Sequence, residues 1–298
     1  MKSYVDIGVI TLTVLAMLSV GLELNVNSFK QLTKQAVPLT SALLMQMILI
    51  PGIALLVSYS LGLSPALRSG ILLVAACPVG DIANFFTLIG RGNVALSVAY
   101  NAVSCLVSPI TMTIIFAGYS QFLGTHFDYA APGLKLVLPF FLMITIPIVA
   151  GTSLRLARVP KVDRVSRFLR LICLVGVFAL CAYVIAARSY QVRTDWKFAA
   201  GASALLALAA MLIGWIVSRV LKMDPAERIA LNISFAVRNV GLATAIAVTI
   251  MNRIEYAVFS TIYFLSEVVL VSIAIMAWRV WELETHAGDV ESHEVQSA

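Results

Sequence analysis

The sequence is poor in charged residues. Asp, Glu, Lys and Arg make up 12% of its 298 residues, against about 25% in a typical soluble protein. Hydrophobic residues make up 60%, and the mean hydropathy is +0.95. So few charges exclude an ordinary water-soluble surface, and the composition predicts an integral membrane protein.

Cysteine and histidine are also scarce, with 4 and 3 residues respectively. The cysteines Cys77, Cys105, Cys173 and Cys181 lie in apolar stretches and form no C-x-x-C pair, which argues against a disulfide framework or a zinc site. Asp81 is the only aspartate deep in an apolar stretch, whereas an intramembrane aspartyl protease needs two that face each other. We therefore expect no enzymatic activity and no cofactor.

Long apolar runs recur along nearly the whole chain. A transmembrane helix needs about 20 apolar residues, and about nine such runs are present. They cover residues 5–22, 37–61, 65–90, 93–118, 133–154, 165–187, 196–220, 226–251 and 254–281. The runs are continuous rather than alternating in polarity, which excludes a transmembrane β-barrel. The predicted fold class is an all-α polytopic membrane protein.

The loops between these runs predict an orientation. Lys and Arg are concentrated in one set of alternate loops, most densely between residues 155 and 167. The positive-inside rule places that set in the cytoplasm, with the amino terminus outside and the carboxyl terminus inside. This bias accounts for the net charge of +6, so no nucleic acid partner is predicted. The acidic segment 283–298 is predicted to be a disordered cytoplasmic tail. Nothing in the sequence indicates an oligomeric state.

Two short segments resemble each other across the two halves of the chain. Residues 57–68 read VSYSLGLSPALR, and residues 217–228 read VSRVLKMDPAER. Each places a Ser or Asp before Pro, which is a typical helix start. Five predicted spans separate the copies, so they enter the membrane from opposite sides. This pattern indicates an inverted repeat, a common architecture of secondary transporters.

The span that follows each copy is interrupted by residues that disfavour a helix. Pro78 and Gly80 interrupt the third span, and Arg238, Asn239 and Gly241 interrupt the eighth. Non-helical backbone survives at membrane depth only where it is buried in protein or lines a cavity. We therefore predict two crossed discontinuous helices at a binding site. Their half-helix ends suit an anion at the amino-terminal side and a cation at the carboxyl-terminal side.

Ionisable residues deep in the apolar runs are few. Asp81, Arg238 and Glu267 lie far from the predicted span ends, and such residues are costly and usually functional. We expect the guanidinium of Arg238 to pair with Asp81 or with Glu267. Arg170 lies near the basic loop, so we expect it to reach the aqueous interface.

Uncharged polar residues form a stripe on the fourth span. Ser97, Asn101 and Ser104 share one helix face, Asn84 shares a face with Asp81, and Gln46 is a lone amide on the second span. Such side chains either hold helices together or bind a ligand. The pattern leaves both alternatives open.

At these positions the sequence resembles the bile acid:sodium symporter family. Residues 77–97, CPVGDIANFFTLIGRGNVALS, and residues 237–247, VRNVGLATAIA, are similar to its two signature segments. The resemblance covers about residues 10–280, and with it we expect this chain to lie in a bacterial inner membrane. It implies a core domain (37–118 and 196–281) that moves against a panel domain (5–22 and 133–187). It also implies uptake of organic anions coupled to two sodium ions.

The resemblance assigns roles to individual residues. Asn84 and Ser97 match ligands of one sodium, Gln46 matches a ligand of the other, and Asn239 matches an asparagine beside the substrate cavity. The predicted substrate-binding residues are therefore Asp81, Asn84, Arg238, Asn239 and Glu267. The predicted residual ion site consists of Gln46, Asn84, Ser97, Asn101 and Ser234.

The sequence also departs from the family pattern at the sodium sites. Ser234 stands where the family has the glutamate that bridges both ions, and Arg238 stands where it has a glutamine. Ala83 and Asn101 replace hydroxyl ligands, and Asp81 replaces a small hydroxyl residue. Because a guanidinium cannot lose its proton in a protein, these changes argue against ordinary two-sodium coupling.

We expect a secondary transporter for a small organic anion or related acid, with the lipid bilayer and that solute as its partners. The coupling ion is left open between a proton, a single residual sodium and none. We hypothesise that the Arg238 guanidinium takes the place of a sodium ion. Two alternatives stay open: a sensor or receptor on the same fold, and a carrier of a zwitterionic substrate.

Overall fold

A computed structural model describes the backbone of residues 2–123 and 133–296, and the side chains of residues 6–120 and 141–279. The described backbone folds into twelve α-helices. They are α1 Lys2–Glu23, α2 Val26–Lys34, α3 Ala36–Ser60, α4 Pro65–Ala76, α5 Ile82–Ile89, α6 Val94–Leu123, α7 Gly133–Leu156, α8 Val162–Ala187, α9 Ser189–Val220, α10 Pro225–Ala236, α11 Val240–Ala245 and α12 Ala257–Gln296. A π-helical turn, Ile246–Ile250, continues α11, and a 3₁₀ turn, Ile254–Tyr256, precedes α12.

Six of the helical segments in the described part of the chain are long and apolar enough to cross a membrane. Three further apolar helices are shorter: Pro65–Ala76, Phe141–Leu156 and Val240–Ile250. Large side chains such as Ile48, Ile114 and Val269 are more than half exposed, as expected for helices that face lipid rather than water. The chain is therefore an integral polytopic membrane protein, and its helices follow the predicted apolar runs.

The third apolar run is interrupted at the place that Pro78 and Gly80 predict. α4 begins at Pro65 after the Ser64 side chain caps the backbone of Leu67. It ends at Ala76, because Pro78 has no backbone N–H and forces the preceding Cys77 into an extended conformation. Helix resumes at α5 after Asp81.

The eighth run has the same construction. α10 begins at Pro225, directly after Asp224, whose backbone N–H donates to Glu227 Oε2 at 3.2 Å. It contains 12 residues, as α4 does, and ends before the extended Val237. The sequence placed Gly241 at the break, but this residue lies within α11. The break itself covers residues 237–239, because the side chain of Asn239 caps α11 by accepting from Leu242 N at 2.9 Å.

The two breaks are hydrogen-bonded to each other. Gly80 N donates to Val237 O at 3.1 Å, and Asn239 N donates to Pro78 O at 2.9 Å. These bonds form a short antiparallel bridge that pairs Val79 with Arg238. Four backbone groups at the breaks are thereby satisfied, and an unpaired group within a membrane would cost several kcal/mol.

The remaining helices pack around this bridge. α1 packs along α7 and also contacts α8, whereas α9 packs along α10 and α12. α3 contacts both α4 and α9. The α1 and α7 backbones approach closely at Gly21 and Gly151, where an added Cβ would lie within 2.5 Å of a backbone oxygen of the partner helix. Small residues commonly permit such close packing between membrane helices.

The last helix differs from the sequence prediction at its carboxyl end. α12 continues to Gln296, through most of segment 283–298, which its acidic composition predicts to be disordered. No proline follows Trp281 and the one glycine is Gly288, so nothing in the covalent structure ends the helix earlier. The cytoplasmic location of this segment stays a prediction.

The bridge makes Gly80 intolerant of a side chain. A Cβ added at Gly80 would lie 2.6 Å from the backbone oxygen of Arg238. We expect Gly80→Ala to lower the thermal unfolding midpoint in detergent, with a cost of about 1–3 kcal/mol from overpacking. Gly201→Ala is the control, because a Cβ at Gly201 meets nothing within 4 Å. Equal midpoints for the two variants would contradict the tight bridge.

Candidate functional site

A cavity of about 330 Å³ lies beside the paired breaks. One wall consists of α1 and α8, and the other consists of α5, α11 and α12. Most of the lining is apolar. The polar and charged residues that line it are Thr13, Asp81, Arg167, Arg170, Arg238, Asn239 and Glu267. The structure thus places the two helix breaks at one cavity, as predicted from the positions of the interruptions.

The side chain of Arg238 is buried, with 4% of its surface exposed. Its guanidinium donates to carbonyl oxygens at the carboxyl end of α4: Nη2 to Ala75 O at 2.7 Å and to Cys77 O, and Nε to Val74 O at 3.5 Å. The carboxyl end of a helix carries partial negative charge. The guanidinium therefore occupies a place that suits a cation.

The expected pairing of Arg238 with a carboxylate is not formed. Among the described side chains, neither Asp81 nor Glu267 forms an ion pair with the guanidinium. Glu267 Oε2 instead accepts from the backbone N–H of Arg238 at 3.1 Å. The physical reason is that the side chain turns toward the end of α4, whose carbonyls provide several acceptors.

Gln46 and Ser234 lie next to the Arg238 side chain. Gln46 donates from Nε2 to Ser234 O at 3.2 Å and accepts from Tyr100 OH at 2.6 Å. The Ser234 hydroxyl donates to Ala230 O at 2.7 Å within its own helix. A void of about 10 Å³ remains beside these side chains, and its lining includes Gln46, Cys77 and Arg238. Both ends of the Gln46 amide are therefore used within the protein.

The stripe on α6 faces the first break. Ser104 Oγ accepts from Val79 N at 3.1 Å, and Asn101 Nδ2 donates to Asp81 Oδ1 at 3.4 Å. Ser97 Oγ donates to Asn84 Oδ1 at 2.9 Å. These contacts join α6 to α5 and to the first break, and ligand binding by the same side chains stays a prediction. They also place several side-chain oxygens close together around Asn84.

Sequence reasoning missed a polar contact that involves Asn84. Asn84 Nδ2 donates to Glu23 Oε2 at 2.6 Å, and Glu23 Oε1 pairs with Arg170 Nη2 at 2.6 Å. Glu23 is at the end of the first apolar run, and Arg170 was expected to reach the interface. Its side chain is in fact 36% exposed, but nothing in the local sequence relates it to Glu23. The contact links α1, α5 and α8 across the cavity.

The ion pair between Glu23 and Arg170 can be tested by a double-mutant cycle. The Glu23 side chain is 8% exposed, so its removal leaves a partly buried guanidinium without its partner. We expect Glu23→Gln and Arg170→Gln each to lower thermal stability, and the double variant to lose less than their sum, with a coupling of about 0.5–3 kcal/mol. Thermal unfolding of the purified chain provides the measurement. Additive effects would show that the pair contributes nothing.

The chain is similar to known proteins over most of its length. Residues 9–195 match the Sodium Bile acid symporter family. The chain is 24% identical over 253 residues to the uncharacterized sodium-dependent transporter YocS of Bacillus subtilis, covering 84% of this chain and 77% of the relative. It is 29% identical over 233 residues to the probable sodium/metabolite cotransporter BASS1, chloroplastic, of Arabidopsis thaliana. That match covers 78% of this chain but 57% of the relative, so the chain spans little more than half of this chloroplast protein.

Proposed function

Because the chain belongs to the sodium bile acid symporter family, we propose that it is a secondary transporter that carries a small organic anion or related organic acid by alternating access. The observation that carries this proposal is the pair of bridged helix breaks beside a cavity. Discontinuous helices at a repeat interface are the usual substrate site of such transporters.

The proposed moving parts are a core domain (37–118 and 196–281) and a panel domain (5–22 and 133–187). The packing supports this division, because α1 lies along α7 and α8 while α9 lies along α10 and α12. The cavity lies between the two groups. We further propose nine membrane crossings in the bacterial inner membrane, with the amino terminus outside, on the basis of the loop charges.

We propose that Arg238 serves as a built-in cation at one of the family's two sodium positions. Its guanidinium binds the carbonyls of α4, and the neighbouring Gln46 amide is already bonded at both ends. Sodium prefers oxygen ligands and a site without a competing positive charge. The residues at this position therefore do not fit a sodium ion, and no coupling step passes through it.

The oxygens around Asn84 leave room for a different coupling arrangement. Ser234 stands at the position of the family's bridging glutamate, and its hydroxyl donates to a carbonyl within its own helix. Asn84, Ser97 and Asn101 supply side-chain oxygens but no carboxylate of their own. We propose that at most one sodium binds here, and that transport does not depend on two sodium ions. The same contacts are consistent with coupling to protons, and also with transport that no ion drives.

Sodium replacement tests this proposal. Proteoliposomes containing the full chain are given a carbon-14-labelled mixture of small organic acids, with sodium or choline as the external cation. We expect uptake either to persist in choline or to depend on sodium with no more than one ion per substrate. A steep sodium dependence with more than one ion per substrate would disprove the built-in cation. Uptake no greater than in protein-free liposomes would count against transport itself.

Substitution of Arg238 tests the same claim from the protein side. We expect Arg238→Gln to reduce uptake at least about tenfold, since the carbonyls at the end of α4 lose a buried donor and an unsatisfied acceptor costs about 1–3 kcal/mol. Arg219→Gln is the control, because Arg219 stacks on Trp215 outside the cavity. If Arg238→Gln shows wild-type uptake, the guanidinium is not required for transport and Arg238 serves only in packing.

The double variant Ser234→Glu/Arg238→Gln restores the two residues that the family pattern has at these positions. With a carboxylate present and the guanidinium removed, the site gains the ligands and the charge that a sodium ion needs. We expect its uptake to become more strongly sodium-dependent than that of the wild type. If both proteins respond alike to sodium, these two residues do not determine the coupling.

A further inference from the structure

We propose that the transported acid also carries an ammonium group, so that the substrate is an amphipathic zwitterion of the amino-acid class, and that Glu267 receives the ammonium. This inference rests on the proposed transport function and specifies its substrate. Glu267 lies on α12 at the cavity wall formed by the helix breaks, together with Asp81 next to α5.

Glu267 belongs to the cavity lining and has a buried oxygen that is not hydrogen-bonded. Its side chain is fully buried, Oε2 accepts from Arg238 N, and Oε1 has no hydrogen-bond partner among the described residues. A buried unsatisfied carboxylate oxygen is unusual in a native protein. It also costs more than an unpaired neutral group. An ammonium group would supply both the missing donor and the missing positive charge.

The carboxyl groups of Asp81 and Glu267 both belong to the cavity lining. Among the described side chains, no Lys or Arg forms an ion pair with Asp81 or Glu267. The guanidinium of Arg238 turns away to the carbonyls of α4. Asp81 receives one hydrogen bond, from Asn101 at 3.4 Å. A plain carboxylate substrate would lie beside these two carboxyl groups, whereas an ammonium group would be attracted to them.

The opposite wall carries the complementary charge. Arg167 and Arg170 line the cavity from α8. Arg170 binds Glu23 through Nη2, and its buried Nε has no partner among the described residues. The Arg170 side chain is 36% exposed, whereas Glu267 is fully buried. The cavity lining therefore has acidic side chains on α12 and next to α5, and basic side chains on α8. This arrangement suits a zwitterion with its ammonium group at Glu267 and its carboxylate toward Arg170.

The space between the charged ends is apolar. Leu12 and Val177 contribute from one wall, and Phe85 and Phe264 contribute from the other. The volume of about 330 Å³ lies at the lower end of the range for small-molecule sites, about 300–1,000 Å³. A small amino acid with an aliphatic or aromatic side chain matches this size, charge order and lining better than a bulky anion.

Matched pairs of compounds that differ only in the ammonium group test the proposal. The probes are L-leucine against 4-methylpentanoate, L-methionine against 4-(methylthio)butanoate, and L-phenylalanine against 3-phenylpropanoate. Binding to the purified full chain is measured by ligand-dependent thermal stabilisation. We expect the amine-bearing member of at least one pair to bind at least about tenfold more tightly. Equal or tighter binding of the deaminated acids, or no binding by any of the three amines, would overturn the proposal.

Substitutions of Glu267 test whether its carboxylate causes the preference for the amine-bearing compounds. Glu267→Gln keeps an oxygen that can accept from Arg238 N and removes the charge, so we expect the preference for the amine to disappear while the fold is retained. Glu267→Asp should recover part of it. Glu255→Gln is the control, because Glu255 pairs with Arg188 outside the cavity. A preference that survives in Glu267→Gln would show that the ammonium binds elsewhere.

Flux measurements in proteoliposomes separate this inference from the proposed function. If the deaminated acids are transported and the amines are not, the substrate class is wrong and transport stands. If the amines bind with the expected preference but no labelled compound crosses the membrane, the Glu267 site stands and the transport function is wrong.

Discussion

The backbone bridge between the two helix breaks is the constraint on which the rest of the structure depends. Gly80 and Asn239 each donate to the opposite break, so that four half-helix ends meet at one point within the membrane protein. Without these bonds the non-helical segments would present unpaired backbone groups in a medium that offers no water. Arg238 is part of the bridge, and Asp81 directly follows Gly80. Glu267 on α12 contacts the bridge by accepting from the backbone N–H of Arg238.

The position of Arg238 on the bridge has a direct chemical consequence. Its backbone N–H bonds Glu267, while its guanidinium bonds the carbonyls of α4. One residue therefore ties together α4, α12 and the second break. A sodium ion in such a place can leave during each transport cycle and so can couple the ion gradient to transport. A guanidinium on the chain cannot leave, so it stabilises the crossing without supplying energy from a gradient.

Local chemistry explains which features could be predicted from the sequence. The breaks were predictable because Pro78 and Gly80 act on their own backbone, and the start of α4 followed from Ser64 and Pro65. The direction of the Arg238 side chain was not predictable, because carbonyls of a distant helix compete with the carboxylates for it. The contact of Glu23 with Arg170 was missed for a similar reason. The two residues are far apart in sequence and no periodicity relates them.

The central claim is that the protein itself supplies one of the cations that the family's sodium sites contain. Binding of radioactive ²²Na⁺ to the purified full chain, measured by equilibrium dialysis at saturating sodium, tests this claim most directly. The account predicts at most one bound sodium per chain. Two bound sodium ions per chain would contradict it, because a second ion would need the place that the Arg238 guanidinium occupies.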